Sequence, residues 1–323
     1  MGTLLTAVPP RPDSAAELID LSDPENPFHR MKACSVVTYG ETTLQRMPWS
    51  GLHRGGERAL PAGALEISDE SHGTRWTVTS RGSGVAGTYE RSVFRALEWI
   101  ALDGSLGQGI PFRNPLVVHP RDLCERLCWR ATQLQFDAIE RAMHRLCGIE
   151  IEAVAGKSAT RFGLLRSVIA RAQRNTNRGM ACPQFIVHFD GFFADSVNSG
   201  RIRPINWGLW IALRDPVAQR LLEILEPEFH SHDGTVSAAL EPDVLGRLLP
   251  FSPSLPRHRR CSLLDQAHEA LIRNGYLSNV EQRPSRFLYS PGPTYYSMQV
   301  HLERQSVPYR SRGVRREVLR NGS

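Results

Sequence analysis

The stretch Pro120–Val154, PRDLCERLCWRATQLQFDAIERAMHRLCGIEIEAV, decides the reading of the chain. Pro120–Trp129 opens on a proline and brings Leu123, Cys124 and Leu127 to one side, the pattern of a short helix. Three residues on, Thr132 and Gln135 have the spacing of a capping box, in which the hydroxyl takes a backbone N–H that the first turn leaves unpaired. Phe136, Ile139, Met143 and Leu146 then recur along one helical face, and Gly148 stops the helix. Ile149–Val154 alternates as a strand.

Upstream, Tyr89–Leu102 places Val93, Leu97, Ile100 and Ala101 on one stripe and ends at Asp103-Gly104, so it reads as an amphipathic helix. Downstream, Phe162–Ile169 and Phe185–Phe189 are strand candidates separated by the loop Ala172–Cys182, and they are expected to pair as a ribbon. Helix, helix, short turn, helix and β-ribbon is the order of a winged helix, a DNA-binding type of module.

The order recurs. Asp215–Leu225 is a helix with Asp215 as cap and Pro216 at its first position. Glu241–Leu249 is a short second helix, and Pro256–Asn274 a longer third one with Leu264, Ala267 and Leu271 inward, ended by Asn274-Gly275. Tyr276–Glu281 and Arg286–Tyr289 supply a hairpin around Gln282–Ser285. The expected fold class is therefore α+β, two tandem winged-helix modules behind an irregular β-containing lead-in. The boundaries read as an acidic, proline-rich tail over 1–27, the lead-in over 28–88 (strands near Ser35–Thr38, Leu65–Ser68 and Trp76–Thr79), modules over 89–213 and 214–304, and a basic tail over 305–323.

Composition narrows the function. Hydrophobic residues make up 41% of the 323, enough for a core, and no run is long and apolar enough to span a membrane. The six scattered cysteines contain no C-x-x-C pair, which argues against a secreted disulfide framework and for a cytoplasmic location. Of the 39 cationic residues 37 are Arg, lysine occurring only as Lys32 and Lys157, and the net charge of +6 favours an anionic partner. The start Met1-Gly2-Thr3-Leu4-Leu5-Thr6 fits a short myristoylation pattern, but the bland reading, a plain tail, is preferred.

Motifs for other chemistries weigh less. Gly82–Gly87 matches G-x-G-x-x-G, yet the preceding run Trp76–Ser80 alternates polar and apolar, whereas a buried parallel strand is nearly all apolar. Cys124, Cys128, His144 and Cys147 could hold zinc in principle, but Cys124 and Cys147 fall on apolar faces. His230-Ser231-His232 with Tyr295 or Tyr296 invites comparison with rolling-circle nickases, but Ser replaces the hydrophobic residue between the histidines. No G-x-S-x-G, H-E-x-x-H or paired-carboxylate signature is present, so the expectation is a protein with no enzymatic activity, no cofactor and no metal.

The cationic clusters remain. Lys157, Arg161, Arg166, Arg171, Arg174 and Arg178 occur with no acid between them. Arg257-His258-Arg259-Arg260 opens the second module's third helix, where helix-turn-helix proteins present base-reading residues. The expected contacts are Gln133, Gln135, Arg141 and Arg145 on the first third helix, with Arg161 and Arg166 on its wing. In the second module they are Arg257, Arg259, Arg260, Ser262 and Gln266, with Arg283 and Arg286 on the wing.

Arg203–Leu225, RPINWGLWIALRDPVAQRLLEIL, resembles the segment joining the two winged helices of bacterial plasmid replication initiators of the Rep type, with Leu222 where a tyrosine is usual. Leu123–Trp129 with Phe136–Ile139 is similar to the first-module signature of the RepA and TrfA-like initiators, and Phe193, Ser196 and Gly200 fit the same comparison. The resemblance implies binding to repeated double-stranded origin sites as monomer or homodimer, local melting, and recruitment of a host initiator and replicative helicase. A winged-helix transcriptional regulator and, further off, a metal-dependent nickase using Tyr295 or Tyr296 are the rival readings.

Overall fold

The computed structural model describes residues 37–52, 65–69, 74–80, 86–106, 110–172, 183–229, 236–252 and 254–304. Both terminal tails, His230–His232 and most of the Gly82–Gly87 motif lie outside these residues. No described helix is long and apolar enough to cross a membrane.

The first module starts with α2 (Thr88–Leu106), followed by β4 (Leu116–Val118), α3 (Pro120–Arg126) and α4 (Gln133–Cys147). The turn between α3 and α4 has a specific cause. Cys128 adopts a left-handed conformation (φ 54°), and the N–H groups of Cys128 and Trp129 donate to the carbonyls of Glu125 at 3.2 Å and Cys124 at 2.8 Å. That pair of bonds closes the helix end in a Schellman motif and reverses the chain. Thr132 then caps α4, its hydroxyl accepting from the Gln135 N–H at 3.3 Å. Phe136, Ile139, Ala142, Met143 and Leu146 form the buried face of α4, as the periodicity predicts.

The module is completed by β7 (Leu165–Ala172) and β8 (Pro183–Phe189), in an antiparallel sheet ordered β4-β8-β7. The second module repeats this plan with α7 (Pro216–Phe229), β10 (Ala238–Leu240), α8 (Pro242–Leu248), α9 (Arg257–Arg273), β11 (Leu277–Arg283) and β12 (Arg286–Pro291), in the order β10-β12-β11. In each sheet the strand after the first helix pairs with the last strand, which pairs with the middle one. The chain is thus built of two tandem winged helices. Asp215 caps α7 by accepting from the N–H groups of Val217 (2.6 Å) and Ala218 (2.9 Å). Gly275 (φ 68°) ends α9, and a Cβ on Gly292 would lie 2.2 Å from the Gly275 carbonyl oxygen, so the chain entering β11 and the chain leaving β12 pass at a distance only glycine allows.

One expectation fails. Phe162–Ile169 is not a single strand paired with Phe185–Phe189. The chain first makes a hairpin of β5 (Ile149–Ala155) and β6 (Ser158–Gly163), turning at Gly156 (φ 58°), and only then enters β7. Phe162 pairs with Ile151 in one sheet and Ile169 with Ile186 in another. The buried Leu164 separates the two strands. The β5–β6 hairpin joins β2 (Leu65–Asp69) and β3 (Thr74–Ser80) of the lead-in as a four-stranded sheet ordered β2-β3-β5-β6. Because β3 is antiparallel to both its neighbours, the Gly82–Gly87 run does not follow a parallel strand, as a dinucleotide fold requires. The lead-in also supplies β1 (Val37–Glu41), which pairs with β9 (Ile202–Asn206), and α1 (Thr42–Arg46). The remaining helices are α5 (Gly191–Asn198), α6 (Trp207–Ala212) and α10 (Pro293–Arg304).

The modules meet across a buried ionic cluster. Glu223 of α7 accepts from Arg95 Nε of α2 at 3.2 Å, from Trp210 Nε1 of α6 at 3.0 Å and from Arg220 Nη1 at 3.0 Å. Arg95 also donates to Glu98 and, at 3.0 Å, to the Leu44 carbonyl of α1, while Arg220 donates to the carbonyls of Gln45, Arg46 and Leu248. Glu98 accepts the Glu41 N–H at 3.0 Å, and Glu41 in turn accepts from Ser196 Oγ at 2.6 Å. Burial alone would raise the Glu223 carboxyl, but Arg95, Arg91 and Arg220 overcome it and hold it down to about 2. Beside this cluster Trp207 stacks on Trp210 (5.0 Å) and leans on Trp99 (4.9 Å), and its Nε1 donates to the Arg126 carbonyl at the end of α3.

Glu223→Ala would leave Arg95 and Arg220 buried without their shared carboxylate, and should lower unfolding stability by about 3–5 kcal/mol in urea titrations. A second outcome concerns pH. Tyr276 Oη donates to Glu226 at 2.6 Å, and burial pushes the Glu226 carboxyl from its ordinary 4.5 up to about 8. At this carboxyl the folded chain keeps a proton that the unfolded one loses between those values, so the contribution of Glu226 to stability declines as pH rises from about 4.5 through about 8. Glu226→Gln should flatten that decline and make the variant the more stable protein at the alkaline end, read from denaturation midpoints across the range.

Candidate nucleic-acid interface

The interface expected from the sequence centres on the two third helices and their ribbons. On α4, helical geometry divides the expected residues into two groups. Gln133 and Arg141 lie on the solvent face, with Gln133 Nε2 donating to Asp137 at 2.8 Å. Gln135 and Arg145 turn back into the protein. Gln135 Nε2 donates to Tyr89 Oη at 2.8 Å, and the Tyr89 ring stacks on Trp129 at 4.8 Å. Arg145 Nε donates to the buried Glu90 carboxylate at 2.7 Å, which also accepts the Gly87 N–H at the start of α2. These two side chains, expected from the sequence as DNA contacts, tie α4 to α2. Their spacing contained the warning: Gln135 lies four and seven residues before Ile139 and Ala142, and Arg145 three residues after Ala142, which sets both at the edge of the buried stripe.

Leu134 is the residue the sequence reading missed. It sits in the first turn of α4 and is 81% exposed, beside Gln133 and off the buried stripe. An apolar residue draws notice on an inward face; here its phase points the other way.

The cations of the first ribbon also separate. Arg166 and Arg171 are exposed on β7. Arg161 belongs to β6 instead, opposite Glu152 in the inserted sheet, and its Nε donates to that carboxylate at 2.8 Å. Arg161 is therefore not on the wing. Arg174 and Arg178 lie outside the described residues.

In the second module Arg257 and Arg259 are exposed in the first turn of α9, together with His258. Arg260 turns away, with Nε donating to the Leu255 carbonyl at 2.8 Å and Nη2 to that of Ser252 at 3.3 Å; it closes the loop that leads into the helix. Ser262 accepts from Gln266 Nε2 at 3.4 Å across one turn, and Gln266 is exposed. Arg283 and Arg286 face each other at the tip of the β11–β12 hairpin. Arg283 donates through Nε and Nη2 to Glu281 at 2.9 and 3.1 Å, whereas Arg286 is exposed. Behind the helix, His268 is buried with Nε2 3.2 Å from Tyr289 Oη, and burial lowers its pKa to about 4.

The structure brings together Gln133, Leu134 and Arg141 on one helix face with Arg166 and Arg171 on the adjoining ribbon. It likewise gathers Arg257, Arg259 and Gln266 on α9 with Arg286 on its ribbon tip. Tyr295 is a core residue, edge-on to Phe229 at 5.0 Å, while Tyr296 is 46% exposed. Among the described residues no three His, Cys, Asp or Glu side chains are grouped as a metal site.

Fold and surface define a tandem winged-helix protein with a cationic edge on each module. By structure the chain is similar to domains 2 and 3 of RctB, with a TM-score of 0.53 and 11% identity over 78% of this chain and 98% of that one. A second crystal structure of the same RctB domains gives 0.45 at 9% identity, covering 77% and 96%. The Pi initiator protein in complex with iteron DNA gives 0.43 at 10%, covering 64% and 94%. No family profile matches the chain, and no curated protein matches it by sequence.

The two arginines of α4 should behave differently when removed. Arg145→Ala leaves Glu90 without its cation and should cost about 1–3 kcal/mol of stability, discounted for the partial exposure of the pair. Arg141→Ala should leave the denaturation midpoint within experimental error.

Proposed function

We propose that the chain is a sequence-specific double-stranded DNA-binding protein that initiates plasmid replication, binding repeated origin sites, promoting local melting and recruiting a helicase, without enzymatic chemistry of its own. One observation carries the reading: two modules with the same strand order each present the exposed first turn of a third helix beside a cationic ribbon. That turn is where helix-turn-helix modules meet base edges. The positive end of the helix dipole adds to the attraction for phosphate. Arg257 and Arg259 stand free of carboxylate partners among the described residues, so their guanidiniums are available for guanine edges or phosphates. Exposed Arg166, Arg171 and Arg286 fit backbone contacts that hold the helices in register. The fold shared with the RctB domains agrees with this arrangement and is not its basis.

The experiment is a footprint of the purified full chain on the DNA flanking its own gene, followed by anisotropy titrations on the protected duplex. Protection of direct repeats is the expected result; indifference to all such fragments at low salt overturns the reading. Arg259→Ala should weaken binding by about 1–3 kcal/mol if it pairs with a base. Arg166→Ala should weaken it evenly across sequences and reduce the slope of log affinity against log salt by about one. Repeat binding that fails to support maintenance of an origin-bearing plasmid would instead assign the chain to transcriptional regulation.

A further inference from the structure

We infer that Leu134 is a specificity-determining residue that reads the C5-methyl group of a thymine in the major groove. The inference rests on the DNA-binding reading above and adds to it a base and an atom. Leu134 occupies the second position of α4, directly after the Thr132 cap and Gln133. At 81% it is more exposed than any other large hydrophobic side chain described, and no described residue of its own module covers it. Side chains on a helix lean toward its N-terminus, so Leu134 projects over the end of α4 that leads into a groove.

Its neighbours leave the apolar contact to Leu134. Gln133 is engaged with Asp137 at 2.8 Å, Gln135 with Tyr89 at 2.8 Å, and Arg145 with Glu90. Arg141 lies two turns further along the helix, where the geometry suits a phosphate rather than a base at the helix tip. A branched apolar side chain cannot pair with the donors and acceptors of the groove floor. The one apolar group that the major groove offers is the thymine methyl. A surface leucine standing alone needs no special account, but this one stands in the turn that the fold aims at DNA.

The test removes that methyl and nothing else. Cognate duplexes are selected from a random double-stranded pool on the full-length chain, and each thymine is then replaced in turn by deoxyuridine. Binding is compared for the wild type, Leu134→Ala and Leu134→Met. The expected result is a loss of roughly fourfold in wild-type affinity at one or two positions, which corresponds to about 0.8 kcal/mol for one apolar carbon group withdrawn from contact. Leu134→Ala should bind the thymine and deoxyuridine duplexes alike, and Leu134→Met should keep part of the difference. Equal wild-type binding to every substituted duplex overturns the inference, as does a Leu134→Ala variant that keeps the full loss. If the selection enriches no sequence, the DNA-binding reading fails first and this inference with it.

Discussion

The carboxylate of Glu223, shared by Arg95, Arg220 and the Trp210 indole, is the contact on which the arrangement of the molecule depends. It gathers the first helix of each module, the helix between them and the lead-in carbonyls of α1 at one fully buried point. Ion pairs in such a place gain little over apolar packing of the same volume, since taking charges out of water costs several kcal/mol for each ion. What they supply is direction. Two apolar helices can slide past one another, whereas a guanidinium fork that satisfies a carboxylate and a carbonyl at once accepts one orientation.

That rigidity bears directly on the proposed DNA-binding role. Each ribbon and third helix is a small unit, held by its own three-stranded sheet, and each could address only a short run of base pairs. Fixing α2 against α7 makes the separation between the two cationic edges a property of the protein core rather than of a linker. The tryptophan stack of Trp99, Trp207 and Trp210 continues the same wall on the apolar side, and Arg126 lies over the Trp99 ring at 4.1 Å.

Much of the fold was legible because local signals agreed. Thr132, Asp215 and Gly275 marked helix ends, and the stripe from Phe136 to Leu146 marked a buried face. The inserted hairpin was not legible, since Phe162–Ile169 is a short apolar-rich run in which only Gly163 hints at a break, and a single buried leucine is no turn signal. Neither was the ionic junction: Arg95, Glu98 and Glu223 are charged residues of amphipathic helices, a class that normally faces water, and only the packing of helices from distant parts of the chain buries them. At the candidate interface, composition pointed to the third helices and their ribbons but not to which of their side chains have partners within the protein. Arg145, Arg161 and Arg260 are cations with partners at home, which counting charges cannot reveal.

The β5–β6 hairpin enters between a third helix and its ribbon, yet β7 rejoins β8 in the same place that the uninterrupted β11 holds beside β12. The insertion is thus spliced into the chain without being spliced into the wing geometry. Its strands are held by β3 and the core, but its exposed turn at Gly156–Lys157 could change in length while the helix and the ribbon keep their mutual spacing. A Cβ built at Gly156 would meet nothing within 4 Å, so that turn is a place where a foreign loop could be grafted with little disturbance to the rest.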